Sequence, residues 1–377
     1  MDLKNLSQRF RQRFHVDPWF LGAVLTIAAV TFIVSDLAIG AVVRNRLRTQ
    51  MEIQPLEERG VYDGDTHNLK EDLALLSENR TSNLNGAKTA ASAGTEQTLA
   101  VVIENYTPIR GQQAGLESAS LVYETLAEGG ITRLLALFDG APVEKIGPVR
   151  SARPYFVTWA SEYRAAFTHV GGSNEALGDL KNNFRIFNID EFSDFITIWR
   201  DKQYLAPHNA FTSTEKIHQR LEKANYSEPL ASPRFPFKEM DTTSGTINTI
   251  TIDFSLSPYA VKYVYDPATH LYSRFNGGKS HHDLKPANVL VQFVDMEVLD
   301  DAGRLRLQTH GTGKAIVFRD GQAIEGTWEK DSSINSDDQP ASSSWTKFFD
   351  TDGKEIPLNR GQTWIEVVPN GRTVNYF

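Results

Sequence analysis

The sequence predicts a layered α/β (α+β) extracytoplasmic domain followed by a mostly-β domain, with a single transmembrane helix ahead of both. Three features predict it. Between residues 98 and 232, short apolar runs of strand length alternate with helix signals. Between residues 246 and 377, apolar and polar residues alternate along runs separated by Gly, Asn and Asp turn chemistry. Near the N-terminus, the sixteen residues from Trp19 to Val34 carry no charge, and the apolar run resumes from Leu37 to Val43.

The N-terminal run comes first. At about 1.5 Å per residue, the stretch from Trp19 to Val43 reaches roughly 37 Å, more than a hydrocarbon core of about 30 Å. Asp36 lies near the far end, within reach of headgroups, and Trp19 and Phe20 suit the near interface. Lys4, Arg9, Arg11 and Arg13 precede the span, and Arg44, Arg46 and Arg48 follow it, so the charge bias is slight. The expected arrangement is a cytoplasmic tail over 1–18, a span over 19–43 and the folded domains outside the cytoplasmic membrane. Ala38-Ile39-Gly40 loosely resembles a cleavage site, but the length of the run and the arginines behind it favour a retained anchor. Residues 44–97 are weakly patterned, with a tract of Asn, Ser, Ala, Gly and Thr, and read as a flexible linker.

Order begins at Thr98. Leu99–Ile103, Leu121–Tyr123, Leu134–Phe138 and Ala166–Val170 read as strands. Pro154 can open a helix running to Tyr163, because proline fits the first turn, where its missing N–H is not needed. Ser173 or Asn174 caps a second helix through Leu177 and Leu180, and Ile217 and Leu221 place a third over Thr214–Ala224. Pro, Ser, Thr and charged residues around 228–245 mark the boundary between a first domain, 98–232, and a second, 246–377. Strands are expected over Ile247–Phe254, Ala260–Tyr265, Leu271–Phe275, Val289–Val298, Arg304–Gln308, Ala315–Phe318 and Trp364–Val368.

Composition narrows the function. The chain has 377 residues, net charge −8 and no cysteine. The acidic balance argues against a nucleic-acid partner, which selects for a basic surface. The missing cysteine removes disulfides, thiolate metal sites, cysteine nucleophiles and a lipid-bearing cysteine.

Candidate chemistry clusters at the ends of the predicted strands. Arg150 and Arg153 flank Ser151-Ala152 just before the proline-led helix, where free amides and two guanidinium groups suit an anion, with Arg133 as a third cation. The competing reading pairs these arginines with Glu124, Glu128 and Glu162 in a structural network. Glu124 and Glu128 invite a glycosidase reading, although Gly129-Gly130 suggests that the strand has ended by Glu128. His169 and His208 each sit beside a turn signal, the latter next to Asn209, and could act as acid and base. Gly171-Gly172-Ser173 reads as a loop-to-helix transition with anion binding as a secondary option. No cofactor is expected, and no metal, since neither histidine lies in a ligand-spaced pattern. His281-His282-Asp283-Leu284-Lys285-Pro286-Ala287-Asn288 looks like a kinase catalytic loop, but no glycine-rich loop precedes it and no Asp-Phe-Gly follows, so it is refused.

Several blocks, in order, resemble the YerB-like family of bacterial envelope lipoproteins: Val101–Asn105, Leu121–Glu124, Glu128–Arg133, Gly147–Pro154, His169–Ser173, Ala206–Asn209, Gly313–Ala315, Glu325–Trp328 and Pro357–Trp364. The resemblance implies a two-domain extracytoplasmic protein and carries over no catalytic residue. A transmembrane anchor would replace the acyl anchor. The expected role is a non-catalytic binding or scaffold protein for cell-wall polymer or a wall-remodelling partner, with the loop cluster as contact surface. The alternative is an envelope hydrolase acting on peptidoglycan glycan or peptide.

Overall fold

The computed structural model describes residues 80–89, 97–140, 142–182, 185–226, 235–241, 243–281, 284–331 and 345–377. The expected membrane span, 19–43, lies outside the described residues; among those described, no helix is long and apolar enough to cross a membrane.

The central feature is one ten-stranded sheet. Its first half comprises β1 (Leu99–Glu104), β2 (Leu121–Leu126), β3 (Thr132–Phe138), β4 (Ala166–His169) and β5 (Phe187–Asp190). Residues 246–377 contribute β6 (Thr249–Ile252), β7 (Val261–Asp266), β8 (Leu271–Asn276) and β9 (Lys279–Ser280), followed by β10 (Asn288–Val294) and β11 (Gly311–Arg319). They then add β12 (Gln322–Lys330), β13 (Lys347–Asp350), β14 (Thr363–Pro369) and β15 (Val374–Tyr376). The large sheet runs in the order β13-β12-β11-β10-β14-β2-β3-β1-β4-β5, and β9-β8-β7-β6-β15 form a second, five-stranded sheet. The change in composition at 228–245 does not divide the large sheet, because β14 pairs in parallel with β2, Glu366 opposite Glu124.

Burial explains the pattern of each strand. Every residue of β1 and β2 is buried, which is why both read as continuous apolar runs. Leu99, Val101 and Ile103 face a core shared with Ile250, Tyr263 and Tyr272 of the five-stranded sheet, while Ala100 and Val102 face one shared with Phe156 and Trp159. Strand β7 has only one face to bury, and its residues alternate between buried and more open.

Three α-helices are present among the described residues, all in the first half: α1 (Pro154–Glu162), α2 (Asn174–Asn182) and α3 (Thr214–Lys223). Pro154 opens α1 as its sequence predicts, and Ser173 caps α2 through a bond from the Ala176 amide to its Oγ, 3.2 Å. Sheet therefore dominates and helices are few. Residues 322–330, 347–350 and 374–376 are strands that hydrophobic alternation does not reveal, since β12 keeps an exposed, charged face.

Part of the stretch expected to be linker is folded. Arg80–Thr81 and Lys88–Thr89 pair as a small hairpin, and Leu84 between them is buried. Buried Asp139 explains the ordering: its carboxylate accepts bonds from Ser82 Oγ at 2.7 Å, the Leu84 amide at 3.1 Å and Ser120 Oγ at 2.7 Å. A polar tract reads as solvated in sequence when its partner lies fifty residues away.

Candidate functional site

Strands β1, β2 and β4 run in the same direction, so Glu104, the segment after Leu126, and His169 emerge along one edge of the sheet. Carboxyl ends of parallel strands are where such folds place their working groups. Most of the candidate residues do gather there, largely engaged with one another.

Glu128 sits in a short turn after β2 has ended, and the Arg153 guanidinium forks onto both its oxygens, with Nη2 to Oε2 at 2.7 Å. Burial opposes ionisation of Glu128, but the Arg153 hydrogen bonds and charge outweigh it and lower its pKa. Arg133 donates to the Ser151 carbonyl at 3.1 Å. Burial first, then the like charge of Arg153, lowers the Arg133 pKa to about 10, although part of its surface stays open. Arg150 Nε lies 3.3 Å from Glu104 Oε1, and Glu104 also meets His208 Nδ1 at 2.9 Å. Tyr106 stacks on that imidazole at 5.6 Å.

The remaining candidates are structural in geometry. His169 is fully buried, with Nδ1 2.7 Å from the Gly171 carbonyl and Nε2 2.7 Å from Asn188 Oδ1. Gly171 adopts φ 57°, and a Cβ there would come within 2.8 Å of the Phe192 ring. Gly172 bridges to Ala152, and Asn209 Oδ1 accepts from Arg200 at 3.0 Å. Glu162 takes no part, because it pairs with Lys330 at 2.8 Å.

Glu124 parts company with Glu128 altogether. It is completely buried, and accepts from Thr132 Oγ1 at 2.6 Å, Asn105 Nδ2 at 3.1 Å and the Arg274 guanidinium. Arg274, on β8, donates from Nε to Tyr263 OH at 3.0 Å and lies over the Trp364 ring at 4.2 Å. Tyr263 in turn donates to Glu366. His281, whose Nε2 meets Gln113 Oε1 at 2.6 Å, closes the network through Arg274. Arg274, Glu366, Gln113 and Glu104 were missed by sequence reasoning. For Glu104 and Glu366 the one signal was a charge beside or inside an apolar run, as in Thr363-Trp364-Ile365-Glu366-Val367-Val368; Gln113 carried none.

Burial, then the adjacent Glu124 charge, pushes the Glu366 pKa well above its ordinary 4.5. Folding therefore favours protonated Glu366. Its contribution to stability is present in full below pH 4.5 and is lost as pH rises through the folded pKa. The Glu366→Gln variant, a permanent mimic of the neutral acid, should flatten that decline and be at least as stable as the parent at neutral pH. Urea unfolding at several pH values checks this; an equally steep decline in the variant would refute it.

Beside His281 the surface opens into a cavity of about 750 Å3. It is lined from three segments: the turn Thr107–Gln112, the turn Ser257–Tyr259 and the β8–β9 hairpin. None of these segments was a candidate in the sequence. Among the described residues no group of three His, Asp or Glu side chains is placed to hold a metal ion. The kinase-like run shows a structural role at its far end, where buried Asn288 donates to the Asn359 carbonyl at 2.9 Å and Thr363 Oγ1 at 3.0 Å. His282 and Asp283 lie outside the described residues.

Residues 84–227 match the family described as "Protein of unknown function (DUF3048) N-terminal domain", and residues 250–365 match the corresponding C-terminal domain. The "Putative lipoprotein YerB" of Bacillus subtilis (strain 168) is 30% identical over 296 residues, covering 76% of this chain and 86% of that protein. This chain belongs to the YerB-like family. The crystal structure of YerB from Bacillus subtilis superposes with a TM-score of 0.68 at 28% identity, covering 78% of this chain and 99% of the crystallised one. The family's function is unknown, so the chemistry has to be argued from the site.

Proposed function

We propose that this chain is a non-catalytic binding or scaffold protein of the cell envelope, held at the membrane, that engages cell-wall polymer or a wall-remodelling partner. The observation that carries the reading is the contrast between locked carboxylates and an open cavity. Glu124 is sealed and saturated with donors, and Glu128 is forked by Arg153, so neither is poised to pass a proton to a glycosidic bond. The cavity beside His281 has the volume of a ligand site. The described lipoprotein character of the Bacillus subtilis relative supports an address at the membrane, outside the cytoplasm. In this chain the apolar run from Trp19 to Val43 would serve as the anchor, with the N-terminus inside. No particular observation favours the alternative, a hydrolase of peptidoglycan glycan or peptide.

The test uses a soluble fragment spanning 67–377, which keeps the folded hairpin at 80–89. Incubated with purified sacculi, it should sediment with the pellet and release nothing detectable by mass spectrometry. Soluble muropeptides in the supernatant would make the chain an enzyme and overturn the binding reading.

A further inference from the structure

The cavity has a chemical character of its own. Among the described residues its lining includes Arg110, Lys279 and His281 and no carboxylate, in a chain whose net charge is −8. Lys279, the first residue of β9, is exposed and forms no ion pair among the described residues. Arg110 lies over the Tyr259 ring at 5.6 Å, and donates to the Pro258 carbonyl at 3.0 Å and the Asn276 carbonyl at 3.3 Å. The guanidinium thus ties the cavity's walls together and holds positive charge inside it.

Asn276, a lining residue, is the second observation. It is 1% exposed, and neither its side-chain oxygen nor its nitrogen has a hydrogen-bond partner. A buried carboxamide with both ends bare is unusual, since buried polar groups are nearly always paired. Gly277 and Gly278 form the turn that follows, with φ 59° and 78°, and β9 beyond it is only two residues long. For the buried carboxamide to meet a ligand in the cavity, this turn has to shift.

We propose that the cavity takes an acidic, amide-bearing ligand, the chemistry of an N-acetylated acidic sugar or of a short peptide with a free carboxylate. The ligand carboxylate meets Lys279 and the field of Arg110. The ligand amide pairs with Asn276, N–H to oxygen and oxygen to N–H, which satisfies both bare atoms at once. This deepens the binding reading above by naming the ligand class, and it rests on that reading only for the ligand's source in the cell wall.

The experiment titrates the 67–377 fragment calorimetrically with muramyl dipeptide, with the same dipeptide esterified at its one free carboxylate, and with poly(glycerol phosphate). The parent dipeptide should bind, and esterification or Lys279→Glu should each weaken it about tenfold, the order of one lost charge contact. Asn276→Leu should weaken the dipeptide while leaving the unfolding midpoint unchanged or raised, because it removes two unpaired atoms. Indifference of the affinity to Lys279→Glu, with the fold intact by circular dichroism, would overturn the proposal. So would poly(glycerol phosphate) binding as tightly as the dipeptide. Sacculus retention that persists in Lys279→Glu would sink the cavity and leave the binding reading standing. Dipeptide binding that depends on Lys279, without sacculus retention, would do the reverse.

Discussion

Replacing Arg274 by leucine should lower the unfolding free energy by about 3–5 kcal/mol, the cost of breaking a buried ion pair from one side. Arg274 is the cation facing two fully buried carboxylates, Glu124 at hydrogen-bond distance and Glu366 at 3.9 Å. Burial works against its charge, but Glu124, Tyr263 and Glu366 together raise its pKa. Leucine fills much of the volume and supplies no charge, so Glu124 must take up a proton or draw water inside. The loss should shrink as the pH is lowered, because protonation then relieves the one stranded charge. Urea denaturation at neutral and acid pH measures both effects. A loss below about 1 kcal/mol, typical of exposed pairs, would mean that the network is solvated in solution. The triple variant Arg274→Leu, Glu124→Gln, Glu366→Gln should recover most of the stability, which separates stranded charge from lost packing.

Trp159→Ala should cost a similar amount, about 3–5 kcal/mol, for a different reason. The indole is fully buried at the centre of α1 and stacks on Tyr123 of β2, ring centroids 4.9 Å apart and planes 8° from parallel. Phe156 and Tyr155 lie against it at 5.8 and 5.7 Å, so truncation opens a cavity under the helix that these neighbours can only partly fill. Because α1 begins at Pro154, directly after Arg153, a loosened helix should also slacken the Glu128–Arg153 fork. The measurements are thermal unfolding and tryptophan fluorescence. Full retention of the midpoint would show that the helix does not depend on this side chain for its packing.

The first effect arises where sequence reading and structure part, and the second on a helix that the sequence already marks. The strands of β1, β2 and β10 were legible because both their faces are buried, and an apolar run of that length has few other uses. The helix starts at Pro154 and Ser173 were legible because a first turn imposes its own local chemistry. The candidate site was half legible. Arg133, Arg150, Arg153, Glu128 and His208 do share an edge of the sheet, but their engagement with carbonyls and carboxylates, including Glu104, could not be read from spacing. Gly171, Gly172 and Ser173 proved to be a glycine turn and a helix cap, which their order already suggested.

The sequence by itself determined much of the local grammar: where the buried strands and the helices begin, which turns take glycine, and that an apolar run long enough for a membrane lies near the N-terminus. Those features depend on side chains within a few positions of one another, and backbone sterics and hydrophobic periodicity act at that range. Tertiary structure alone decided the partnerships. Glu124 meets Arg274 across 150 positions, Asp139 meets Ser82 across 57, and β2 lies beside β14. Such contacts are selected by the global packing of the large sheets and the helices, and many distant residues compete for each place. A charge in an apolar strand announces that a partner exists, and only the folded chain says which.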